Sequence, residues 1–319
     1  MTKDFHGVYP VIQTPFDRDG NLDLDQVRHE LDWMFGHGAS GAVIGMVSEI
    51  LKLADDERGA LADTVCRHAR DNGRQAIVSV GAESTHHALQ RARQAEDAGA
   101  DALMAVPPLT AAVDIPGMLQ YFVDLLEATS APLVVQDASG YVGQPIPIGV
   151  LVQLQDGYGD RVLFKPEATP IGPRLSTLRD KTGGRARIFE GSGGIALVDS
   201  HHRGIIGTMP AADLCWALVA LWQALEAGEA HTADSISAPL IGILNLQNEL
   251  DSYVAIEKYL LHKQGVLRTR TARDPVTYKL DAETVAEVDR HFAALHGAVT
   301  AARDNGTAGV TGDISIGTP

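Results

Sequence analysis

The chain has 319 residues, 45% of them hydrophobic, with a mean hydropathy of −0.02, enough for one large core or two modest ones. Forty-one acidic against 26 basic side chains leave a formal charge of −15, which repels nucleic-acid phosphates and anionic lipid. No apolar leader follows Met1 and no uninterrupted apolar run is long enough to span a bilayer, so a cytoplasmic location with neither membrane nor nucleic acid as partner is expected.

Short β-branched runs alternate with amphipathic stretches. Val8-Tyr9-Pro10-Val11-Ile12 reads as a strand, and Leu24, Val27, Leu31 and Met34 have the spacing of a helix over 22–35. Asp23 followed by Gln26 resembles a capping box at its start. The unit then recurs, with strands predicted at 41–44, 76–80, 102–106, 132–135, 162–164, 187–189 and 204–206. Helices are expected at 55–72, 84–98, 116–129, 148–155, 170–181, 193–199 and 211–226. Eight apolar strands, nearly all followed by helices, predict a parallel sheet buried on both faces and closed into a (β/α)8 TIM barrel over 1–226. An open doubly wound sheet is disfavoured, because Gln13-Thr14-Pro15-Phe16 replaces the glycine-rich turn expected after its first strand. Beyond the barrel, helices at 230–248, 252–264 and 281–303 predict a C-terminal helical subdomain over 227–303. The Gly- and Thr-rich stretch 304–319 reads as a flexible tail.

Reactive side chains of a barrel gather at the carboxyl ends of its strands. That rule selects Thr14, Ser48, Glu49, Gln136, Asp137, Lys165, Glu167, Glu190, Ser192 and Thr208. Lys165 ends the run Val162-Leu163-Phe164, so its amine emerges from apolar walls, where burial disfavours the charged form and favours attack on a carbonyl. The competing reading is a structural lysine paired with Glu167 or Glu190. Gly45-Met46-Val47-Ser48-Glu49 can aim backbone N–H groups at an anion, and Gly191-Ser192-Gly193-Gly194 can approach a ligand closely; either is equally a plain turn. The pairs His86-His87 and His201-His202 lack the spacing of chelating histidines, so no metal is expected. Cys66 and Cys215, the only cysteines, read as core.

The strand order, the segment Pro10-Val11-Ile12-Gln13-Thr14-Pro15-Phe16 and the position of Lys165 resemble the dihydrodipicolinate synthase / N-acetylneuraminate lyase family over roughly 6–303. The resemblance implies a Schiff base between Lys165 and pyruvate or another small 2-keto acid, with no external cofactor, in a homotetramer or homodimer. Departures from the family pattern narrow the reading. Gln136-Asp137 replaces the strand-five tyrosine, Met46-Val47 replaces two threonines, Leu109-Thr110 replaces a tyrosine pair, and Tyr141 stands where the synthases hold a substrate carboxylate with arginine. The amide of Gln136 cannot shuttle protons as a phenol does, which argues against dihydrodipicolinate synthesis.

Val135-Gln136-Asp137-Ala138 and Phe164-Lys165-Pro166-Glu167-Ala168-Thr169-Pro170 look like the 2-keto-3-deoxy-L-arabonate dehydratases, although Val47 stands where that subgroup has phenylalanine. That likeness implies dehydration of a 2-keto-3-deoxy sugar acid, with Lys165 as nucleophile, Glu167 as general acid/base and Gln136 orienting a hydroxyl or the leaving water. The N–H groups of Val47 and Ser48 and the Ser48 hydroxyl would hold the carboxylate, with Glu49, Ser192 and Thr208 as further substrate contacts. Two alternatives stand beside it, a pyruvate-dependent aldolase and a non-catalytic barrel that binds a keto acid.

Overall fold

The computed structural model describes residues 4–304 and residue 306. Its strands are β1 (Gly7–Val8), β2 (Gly41–Ile44), β3 (Gln75–Ser79), β4 (Ala102–Ala105), β5 (Leu133–Asp137), β6 (Val162–Pro166), β7 (Arg187–Glu190) and β8 (Gly207–Thr208). All pair in parallel, and β1 lies beside β8 at one end of the order that runs through to β2 at the other. Val11, just past β1, bridges to both Val43 and Ala211. The N–H of Ile12 donates to the Val43 carbonyl at 3.0 Å, which brings the two ends of the order together into a barrel. That is the predicted architecture, and Pro10 is tolerated in it because its carbonyl still accepts from the Val43 N–H at 2.9 Å.

Eight helices follow the strands in turn: α1 (Leu24–Gly36), α2 (Asp55–Asp71), α3 (Thr85–Ala98), α4 (Ile115–Ala128), α5 (Ile148–Tyr158), α6 (Ile171–Lys181), α7 (Leu197–His202) and α8 (Cys215–Glu226). The expected capping box is half formed. Asp23 accepts from the Gln26 N–H at 3.1 Å, but the Gln26 side chain accepts from the Arg268 N–H at 2.7 Å instead of reaching back. Helix α7 starts later than its sequence pattern suggested, because Gly193 and Gly194 both adopt positive φ, which a right-handed helix cannot accommodate. Strand β8 likewise begins past 204–206. At Gly207 the chain passes so close to β1 that a Cβ there would lie 2.3 Å from the Gly7 carbonyl oxygen.

Alternation along each strand divides the core into two. Leu163 and Val134 point into the barrel with Tyr9, Val43, Ile77, Met104 and Phe189. Val162, Phe164, Leu133 and Val135 point outward into the layer beneath the helices, where Cys66 and Cys215 are also buried. The same alternation carries Gln136, Lys165 and Glu167 onto the inward face, above the apolar plug.

Three more helices complete the described chain: α9 (Ala230–Leu244), α10 (Leu250–Lys263) and α11 (Ala282–Asp304). Helix α9 packs against α8 and α11, while α10 closes over the barrel mouth. Gln13 Nε2 donates to Glu257, and Lys258 Nζ donates to Glu49 and, at 2.9 Å, to the Thr14 carbonyl. Asp304 ends α11, and the rest of the expected tail, Gly306 apart, lies outside the described residues. Among the described residues no helix is long and apolar enough to cross a membrane.

Candidate active site

Strand β6 does not stop at its proline. Gln136 pairs with Lys165 and Asp137 with Pro166, and the Glu167 N–H then donates to the Asp137 carbonyl at 2.9 Å. The extended backbone therefore persists to Glu167 and sets Lys165 and Glu167 on one face. Lys165 Nζ lies 3.2 Å from Glu167 Oε1, with both side chains only 5% exposed. The other carboxylate oxygen, Oε2, accepts from Gln136 Nε2 at 2.7 Å, and the same amide nitrogen donates to the Tyr141 hydroxyl at 3.2 Å. Because the carboxylate is an acceptor, it orients the amide with its NH2 inward.

These groups open on a cavity of about 190 Å³ at the carboxyl ends of the strands. Lys165, Glu167, Val47 and Ser192 line it, together with Tyr141 from the β5–α5 connection and Tyr253 and Glu257 from α10. Lys165 is the only cation in that wall. It is therefore paired, as the structural reading required, but it also faces the cavity, as the chemical reading required. Gly191 leaves the room: a Cβ there would fall 2.7 Å from Lys165 Cε and 2.6 Å from Glu167 Cγ.

Other candidates stand elsewhere. Ser48 is fully buried, its hydroxyl donating to the Ile12 carbonyl and accepting from the Gly45 N–H at 3.1 Å, while its own N–H is committed to the Gly45 carbonyl at 3.0 Å. Glu49 sits behind that turn, paired with Lys258 and accepting from the Arg273 N–H at 3.0 Å. Thr208 donates to Glu190 at 2.7 Å, and Ser192 donates to the other oxygen of that carboxylate. Glu190 thus stitches the ends of β7 and β8 together. Of the carboxylate-binding turn expected at 47–48, Val47 lines the cavity and Ser48 does not. Among the described residues no three His, Cys, Asp or Glu side chains gather to hold a metal ion.

The electrostatics follow from burial. Glu167 is raised above the usual carboxylate range because desolvation outweighs the Lys165 ammonium and the Gln136 amide. Burial, and next the charge of Glu167, push the Tyr141 phenol well up. On the α10 side, burial and then the Asp213 and Glu30 carboxylates raise Glu257 well above its ordinary value, against the pull of Lys258. Glu30, which accepts from the Gln13 N–H at 2.8 Å, is pushed up by burial to about 8, and Asp213 to about 7. Tyr141, Tyr253 and Glu257 were not among the residues selected from the sequence. Tyr253 and Glu257 are four residues apart, one turn along a helix, and that polar spacing on an otherwise apolar face was the available signal.

Residues 4–295 match the model of the Dihydrodipicolinate synthetase family. The chain is similar to an L-2-keto-3-deoxyarabonate dehydratase from Azospirillum brasilense, at 26% identity over 90% of this chain and 93% of that one. It is also similar to a 4-hydroxy-tetrahydrodipicolinate synthase from Rhizobium meliloti (strain 1021), at 26% identity over 92% of this chain and all of the other. The crystal structure of a dihydrodipicolinate synthase from Rhodopseudomonas palustris superposes with a TM-score of 0.83 at 26% identity, covering 91% of this chain and 98% of that one. A lysine at the mouth of an eight-stranded parallel barrel and a match over nearly the whole length agree: the chain belongs to the Dihydrodipicolinate synthetase family, a family of lyases.

Proposed function

We propose that this protein removes water from a 2-keto-3-deoxy sugar acid through a Schiff base on Lys165. The family works through a lysine Schiff base and needs no external cofactor. The observation that carries the finer reading is the contact between Lys165 Nζ and Glu167 Oε1, 3.2 Å apart in the wall of one small cavity. A carboxylate beside the amine can take up its proton and leave it free to attack the C2 ketone, and it returns that proton to the carbinolamine hydroxyl, which departs as water and leaves the carboxylate ionised again. The iminium that forms draws electrons from C3, and the same carboxylate removes a C3 proton. The resulting enamine expels the C4 hydroxyl. Gln136 holds the carboxylate in place, and the substrate carboxylate lies against the Val47 turn. Similarity to the Azospirillum dehydratase supports this choice of reaction.

The similarity to synthases supports a second reading, a pyruvate-dependent aldolase that cleaves C3–C4 of a related substrate. Both share the imine and then diverge, since an aldolase takes a proton from the C4 hydroxyl whereas a dehydratase gives it one. Incubation with a panel of 2-keto-3-deoxy acids separates them. A semialdehyde without pyruvate supports dehydration, and pyruvate with an aldehyde overturns it.

A further inference from the structure

Expulsion of hydroxide from C4 needs an acid, and the cavity wall offers one besides Glu167, which by then holds the C3 proton. Tyr141 meets the geometric requirements. Its hydroxyl oxygen accepts from Gln136 Nε2 at 3.2 Å, and that amide also holds Glu167 at 2.7 Å, so phenol and base are two ends of one short network. Tyr141 lines the cavity that contains Lys165, and among the described residues its hydroxyl hydrogen has no acceptor.

We infer that Tyr141 is the general acid that protonates the leaving C4 hydroxyl, an assignment that rests on the dehydratase reading above. The enamine electrons form the C3–C4 double bond, the C4–O bond breaks, and the departing oxygen takes the Tyr141 proton and leaves as water. The phenolate keeps its hydrogen bond from Gln136. It recovers a proton from Glu167, which holds the one taken from C3, across the water just released. The balance is one water lost, with acid and base restored.

The two proton transfers are linked by charge. Burial and the carboxylate of Glu167 both keep the phenol protonated, which makes it a donor and not a base. When Glu167 accepts the C3 proton its charge disappears, and with it the first of the neighbouring charges that hold the Tyr141 proton back. Deprotonation at C3 therefore makes Tyr141 a stronger acid at the moment the leaving group needs it.

Tyr141→Phe separates the two half-reactions. Four quantities are measured for each protein: borohydride trapping of pyruvate, exchange of the pyruvate methyl protons with deuterium in D2O, turnover of the 2-keto-3-deoxy acid, and chloride release from 4-chloro-2-oxobutanoate. The variant is expected to trap pyruvate and exchange its protons like the unaltered protein, while dehydration falls by about 100-fold or more. It should also eliminate chloride from 4-chloro-2-oxobutanoate at close to the unaltered rate, since chloride departs without a proton. The inference is overturned if exchange falls in step with dehydration, if dehydration is unchanged, or if chloride loss falls as far as water loss. Failure of the unaltered protein to trap any keto acid would instead remove the Schiff-base reading on which the inference rests.

Discussion

Lys165 and Glu167 leave the same strand on the same face, their charged ends 3.2 Å apart and nearly closed off from bulk solvent. Two opposite charges so placed have each lost hydration, and each is the other's compensation. The pair also borders the cavity, so a ketone entering there meets an amine whose proton has a carboxylate to go to.

Replacing Lys165 by arginine keeps the charge and removes the nucleophile, because a guanidinium does not deprotonate in a protein. Borohydride with pyruvate should label the unaltered protein on the peptide that contains Lys165 and leave Lys165→Arg unlabelled, with turnover reduced by several orders of magnitude. An adduct mapped to another lysine would refute the assignment.

For Glu167 the expected outcome splits the mechanism. Glu167→Gln can still accept a hydrogen bond, and imine formation should survive, but C3 exchange and turnover should fall by about 10²–10⁴-fold. The base form is the ionised one, and burial raises this carboxyl. Activity of the unaltered protein should therefore rise with pH through an acid limb placed above the usual carboxylate range, and that limb should vanish in Glu167→Gln. Turnover close to normal in the variant would count against the role.

Lys258 binds the C-terminal helices to the barrel mouth. Its Nζ donates to Glu49, to the Thr14 carbonyl at 2.9 Å and to the Thr271 carbonyl at 2.7 Å, and it is 1% exposed. Lys258→Met leaves Glu49 buried without its counter-charge and should cost about 3–5 kcal/mol, read as a lowered urea midpoint. An unchanged midpoint would show that the remaining partner of Glu49, the Arg273 N–H, is sufficient.

Glu30 and Asp213 carry a pH signature of stability. Their folded-state values, about 8 and about 7, exceed the ordinary 4.5 and 3.8, so the folded protein holds protons that the unfolded chain releases. Stability linked to these groups is fully present below about pH 4, falls as pH rises, and is lost once Asp213 passes 7 and Glu30 passes 8. Glu30→Gln keeps an acceptor for the Gln13 N–H and should flatten the decline of the urea midpoint between pH 5 and 8. A decline as steep as in the unaltered protein would place its source elsewhere.

The strands, nearly all the helices and Lys165 were legible in the chain because their causes are local. Alternation along Val162-Leu163-Phe164 assigns faces to consecutive residues, and it carries on to Lys165 and Glu167 whatever the rest of the molecule does. Where the local signal depended on how neighbouring strands approach, as at β8, or on a glycine pair of undetermined conformation, as before α7, the boundaries moved.

Commitment of side chains was decided by tertiary structure. Ser48, Glu49 and Thr208 stand at strand ends as the rule for barrels requires, yet Ile12, Lys258 and Glu190 occupy their polar atoms. Tyr141 and Glu257 reach the cavity from a loop and from a helix far along the chain, and no spacing connects either of them to Lys165. A hydrogen bond is made with whatever lies within about 3 Å, and that is a property of the folded surface, not of sequence separation. The chain by itself determined the barrel and the amine at its mouth, since both follow from the alternation of neighbouring residues. Only folding decided which carboxylates, amides and phenols surround that amine, because their partners come from different strands and helices.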